Sequence, residues 1–169
     1  VQDVGDAIDS GASAVSISSA AVRDPEMVKA AVDQFGSDKI IVAIDADEND
    51  SLPSKREVYI DGGRTATGKD AVEFATEMAG LGVGRILPTS KKADGTKDGY
   101  DLDLTRGIAD ATGISVIASG GAGKLEHFYD AVAQGHARAV LAASVFHFGE
   151  FTVREVKQYL RARHLSVRM

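Results

Sequence analysis

Ile114-Ser115-Val116-Ile117-Ala118-Ser119-Gly120-Gly121-Ala122-Gly123-Lys124 is the stretch whose reading decides the fold. Its first five residues are apolar nearly throughout, the pattern of a strand buried on both faces of a parallel sheet. The glycines that follow let the backbone turn sharply and come close to an anion. Amides at the start of the next helix would supply both donors and dipole. A nucleotide-triphosphate loop is disfavoured, because Ala118 stands where that motif needs its first glycine and Leu125 where it needs Ser or Thr. Lys124 reads as a solvated first-turn residue.

One unit further on, Leu141-Ala142-Ala143-Ser144-Val145-Phe146 repeats the logic with small residues. Small side chains here expose amides at the start of a short extra helix, the usual phosphate site after strands seven and eight of a (β/α)8 barrel. A plain strand-to-helix turn is the simpler reading of either segment alone. Their succession favours a phosphate grip by Gly120, Gly121, Ala143 and Ser144.

Working outward, the same alternation recurs along the chain. Strands are expected at residues 14–18, 39–45, 85–88, 114–118 and 138–142, and helices at about 25–35, 68–81, 102–112, 124–135 and 152–163. Asp24-Pro25-Glu26 supplies an N-cap followed by proline at the first helical position, while Gly36, Gly82 and Gly135 stand where helices should stop. Residues 57–60 with Asp61-Gly62-Gly63 look like an inserted hairpin. A leading helix plus five βα units means α/β with a parallel sheet. A doubly wound sheet fits the alternation too, but glycine-rich strand ends resemble a (β/α)8 TIM-type barrel more. A whole barrel takes about 250 residues, so one domain supplying five strands of eight, a partial barrel, is expected. The chain opens on Val1 inside a helical pattern without an initiating methionine, so a fragment is one expectation.

Barrel enzymes work at the C-terminal ends of their strands, and two carboxylates fall there. Asp45 closes an apolar strand and is favoured as a general acid or base. Asp94, in the glycine-flanked loop 93–99, is divided between catalysis and loop capping.

The net charge of −6 over 169 residues disfavours nucleic acid and anionic membranes as partners. No cysteine is present, which excludes disulfides and thiolate chemistry. No apolar run reaches the ~20 residues of a membrane span, and no signal peptide is visible, so a cytoplasmic enzyme is expected. His127, His136, His147 and His164 show no metal-ligand spacing, and neither metal nor cofactor is implied.

Taken together, the segments at 42–46, 62–68, 94–106, 116–128 and 141–148 resemble the cyclase-subunit family of imidazole glycerol phosphate synthase, an enzyme of histidine biosynthesis. The resemblance implies a (β/α)8 barrel that binds a long bis-phosphorylated substrate across its mouth and receives ammonia from a glutaminase partner. It implies that Gly95, Gly121 and Ser144, with Ala143, hold one phosphate and that Ser18 and Ser19 lie by the other. Two aspartates act as acid and base in that family. One matches Asp45; the other lies on a first strand that precedes this chain's starting point in the alignment, which begins after strand three. Ser13, Ala14 and Arg85 replace charged family positions facing the glutaminase, and Lys92 replaces an aspartate. The alternatives are a non-catalytic phosphate-binding barrel fragment and the sister isomerase of the same pathway.

Overall fold

A computed structural model describes residues 1–168. Its centre is β2 (Ile40–Glu48), where burial alternates with a period of two. Ile40, Val42, Ile44 and Ala46 are buried, whereas Ile41, Ala43, Asp45 and Asp47 are only partly covered. Successive side chains of a strand point to opposite faces, so one face of the sheet carries the helices and the other lies open.

On one side β2 pairs in parallel with β1 (Val15–Ile17); on the other, β5 (Arg85–Ser90), β6 (Ser115–Ala118) and β7 (Ala139–Val140) follow in parallel. The strands of these βα units lie side by side in chain order. A doubly wound sheet would reverse direction at a switch point, and this one does not. The fold is α/β of the (β/α)-barrel type, seen here as a partial barrel. All five expected strands are present, with β2 and β5 running a few residues further and β7 much shorter than expected.

The inserted hairpin is also present. β3 (Arg56–Ile60) and β4 (Thr65–Asp70) pair antiparallel, and β3 takes the edge of β2 above the point where β1 leaves it. It corrects one expectation: Gly68, Lys69 and Asp70, read as the start of a helix, end β4 instead. Asp70 then caps the shorter helix α4 (Ala71–Gly80), its Oδ1 accepting the N–H of Val72 at 2.9 Å and of Glu73 at 3.1 Å. Burial works against its charge, but hydrogen bonds from Ser54, Glu73 and Val72 outweigh that and hold the carboxyl below the usual aspartate range.

The remaining helices are α1 (Gln2–Asp9), α2 (Ser19–Arg23), α3 (Pro25–Phe35), α5 (Leu102–Thr112), α6 (Leu125–Ala133), α7 (Ser144–His147) and α8 (Val153–Ala162). Asp24 caps α3 as expected, accepting the Met27 N–H at 3.0 Å, and Asp101 caps α5 likewise. The three glycines stand where helices stop, as expected: Gly36 ends α3 with φ +90°, and Gly82 (φ +91°) and Gly135 directly follow the C-cap residues Leu81 and Gln134. Val28 and Ala31 of α3, Phe74 and Met78 of α4 and Leu104 and Ile108 of α5 fill the core against the covered face. Among the described residues no helix is long and apolar enough to cross a membrane.

Candidate active site

The inner face fixes the site by register. Thr89 of β5 and Tyr59 of β3 stand opposite Asp45 on either side, and Thr89 bridges in turn to Ser119 after β6. Asp45, Thr89 and Ser119 thus form one row across three strands at their C-terminal ends. Beyond that row lie the loops.

Two of these loops close on each other. Gly99 donates its N–H to the Gly121 carbonyl at 2.8 Å, and a Cβ on Gly121 would sit 2.0 Å from the Gly99 oxygen. Gly121 also has φ +100°, a region L side chains avoid. Glycine is therefore required here by loop-on-loop packing as well as by backbone conformation. A third turn is tied in by Tyr100, whose buried hydroxyl donates to the Leu141 carbonyl at 2.9 Å while its ring meets Phe128 edge-on at 6.1 Å. Burial pushes the Tyr100 phenol well above its ordinary range, so it stays a donor.

The result is a cleft of about 40 Å³ lined by Asp94, Gly95, Lys97, Ser119, Gly120, Gly121 and the turn 141–144. One water needs about 10–15 Å³ on this measure, so the space suits about three water-sized groups. Among the described residues no hydrogen bond takes up the backbone N–H of Gly95, Gly120, Gly121, Ala143 or Ser144. Gly120 and Gly121 are buried, and a buried N–H needs a partner. These amides flank one small space and remain free to donate hydrogen bonds. Asp94, Gly95, Gly120, Gly121, Ala143 and Ser144, drawn from three separate segments, thus meet in one place.

Asp45 stands beside the cleft on the next strand. Burial and the neighbouring Asp94 carboxylate raise its carboxyl above the usual aspartate range, and Lys91 pulls the other way. Lys91, the residue after β5, escaped the sequence reading, although its place directly beyond the strand end was a signal. Its Nζ lies 3.1 Å from Asp47 Oδ2 and 3.6 Å from the centroid of the Tyr59 ring. A Cβ on Gly63 would meet the Lys91 stem at 3.1 Å, so the hairpin turn closes over it.

Ser18 and Ser19 lie apart from all this, at the end of β1 on the opposite rim. Ser19 Oγ accepts the Asp61 N–H of the hairpin turn at 2.9 Å. Ser18 lines an open groove with Ser16, Ile17 and Arg23, and Arg23 pairs with Asp61 at 2.6 Å. The structure does not gather these serines with the glycine cleft. Ser13 and Ala14, before β1, and Arg85, at the start of β5, lie at the opposite ends of the strands, where Arg85 donates to the Asp38 carbonyl at 2.6 Å. Among the described residues no cluster of His, Asp and Glu could hold a metal ion.

A family model described as histidine biosynthesis protein matches residues 1–152. That span takes in the strands, the hairpin, Asp45 and all three turns of the cleft. With a parallel sheet in barrel order and a family match over nine-tenths of its length, the chain belongs to the histidine biosynthesis protein family, a family of barrel enzymes.

Proposed function

We propose that the protein serves the cyclase step of histidine biosynthesis, a lyase reaction. A bis-phosphorylated ribulosyl aminoimidazole carboxamide ribotide and ammonia become imidazole glycerol phosphate and aminoimidazole carboxamide ribotide, with loss of one water. The observation that carries the reading is the cleft, with five free backbone donors around a space of phosphate size. One phosphate of the substrate would rest there on Gly95, Gly120, Gly121, Ala143 and Ser144. The other would reach Ser18 and Ser19. β1 and β7 are four strand steps apart, roughly 19 Å along the sheet at ~4.8 Å per step, a span that suits a long substrate held at both ends.

Between the two ends Asp45 transfers the proton. A carboxyl with a raised pKa, beside a second carboxylate and a cation, can hold and release a proton nearer neutrality than an exposed aspartate can. Asp94, at the edge of the cleft, assists. Clamping both phosphates fixes the reacting centre over Asp45, and such positioning is worth up to ~7–11 kcal/mol of barrier.

Arg85, Ser13 and Ala14 at the far ends of the strands favour a second reading, the sister isomerase, which needs no ammonia and hence no glutaminase partner. One assay separates the readings. Ammonium-dependent turnover of the bis-phosphorylated substrate, lost in Asp45→Asn, is expected of the cyclase. Ammonia-independent conversion of the preceding pathway intermediate would assign the isomerase instead. Phosphate binding with neither turnover would leave a phosphate-binding fragment.

A further inference from the structure

Among the residues that line the cleft, Lys97 is the cation, and no role is yet attached to it. Its backbone is held in the left-handed region, φ +65°, which a non-glycine residue adopts only when its surroundings enforce it. Gly123 is the enforcing neighbour. A Cβ there would stand 2.3 Å from the Lys97 carbonyl oxygen and 2.4 Å from its Cβ, so the bare glycine is what lets the Lys97 backbone sit against the glycine turn. From that seat the ammonium pairs with the carboxylate of Glu150, just beyond α7. The ion pair therefore joins the loop on one wall of the cleft to the segment behind the other wall.

The pair is not a buried lock. The Lys97 and Glu150 side chains are 43% and 33% exposed, so solvent screens them and the pair is easily exchanged. A phosphoryl group in the cleft would bring up to two negative charges beside Asp94, and a phosphate oxygen is a strong acceptor for an ammonium. Resting on the phosphate reading above, we infer that Lys97 is a phosphate-contacting residue with Glu150 as its internal competitor: the ammonium leaves Glu150 for a phosphoryl group that enters the cleft. No covalent step is involved.

A brace between the two walls would use the same contact, but the two roles predict opposite signs at Glu150. Inorganic phosphate is titrated into the protein while the Gly120 and Gly121 amide resonances are followed by NMR. Exchange predicts that Lys97→Met weakens binding about tenfold, the low end of one charge-assisted hydrogen bond. It predicts that Glu150→Gln tightens binding about threefold, the scale of an exposed ion pair. Methionine keeps the stem and the Cβ already tolerated at position 97. Glu150→Gln alters an exposed side chain and carries the test even where Lys97→Met disturbs the loop. Binding that is unchanged or weaker in Glu150→Gln overturns the exchange while leaving the cleft as an anion site. Wild-type amides that do not respond to phosphate overturn both.

Discussion

The two rims of the sheet offer an anion different things. On the glycine rim, three loops lock together through Gly99, Gly121 and Tyr100, and among the described residues they leave unpartnered backbone donors beside one small space. On the serine rim the groups are already engaged: Ser19 holds the hairpin turn, and Arg23 is paired with Asp61. A site built of backbone amides is rigid, because moving a donor means moving a loop. A site built of side chains that first hold a neighbouring element is adaptable, because binding can exchange one partner for another. The glycine rim is therefore expected to bind the first phosphate and to set its position, and the serine rim to adjust to whatever length of substrate arrives.

The largest effect should come from the residue between the rims. Asp45→Asn is expected to lower turnover by about 10²–10⁴-fold, the usual worth of a general acid or base, while leaving phosphate binding at both rims unchanged. It should also raise the melting temperature at neutral pH. The Asp45 pKa is raised in the fold, by burial first and Asp94 second, so its neutral form is the favoured one. Its contribution to stability is complete below the ordinary aspartate range and is lost as pH rises through the raised value. The asparagine variant should thus gain over wild type with rising pH and match it in acid; melting curves across that window would refute this if the gap were constant.

Gly121→Ala sharpens the comparison from the glycine side. A methyl group 2.0 Å from the Gly99 oxygen, on a backbone at φ +100°, must part the two loops. A loss of about 2–4 kcal/mol in denaturant unfolding is expected, along with loss of phosphate binding at that rim alone. Tyr100→Phe removes the donor to a carbonyl of the third turn and should cost about 1–2 kcal/mol; an unchanged midpoint would mean that water replaces the hydroxyl.

Ser19→Ala is the corresponding cut on the other rim. It deletes one hydrogen bond to the hairpin, worth about 1 kcal/mol, and should loosen the turn at Asp61 in hydrogen exchange without affecting the Gly120 amide. Smallest of all, Arg23→Ala breaks an exposed ion pair worth about 0–1 kcal/mol. A large loss there would show that the serine rim is as rigid as the glycine rim and that the contrast is wrong.

Much of this was legible from residue order. Apolar strands with glycine at their ends, Asp24 before Pro25, and small residues one unit apart are local signals, because each follows from what neighbouring residues permit the backbone to do. The slip at Gly68-Lys69-Asp70 was local as well. An Asp that caps a helix starting at the next residue looks, in one dimension, like the helix itself, and only pairing with β3 reveals the strand.

What the sequence determined by itself was therefore the βα rhythm, the strand that ends in Asp45 and the turns able to expose amides, since all are set within a few residues. Tertiary structure alone decided how the loops lock, with Gly99 on Gly121 and Tyr100 on the Leu141 carbonyl, and that Lys91 lies near Asp45 while Ser19 is occupied by a hairpin. Those facts depend on strand register and on contacts between residues about 20 to 45 positions apart, where no local preference reaches.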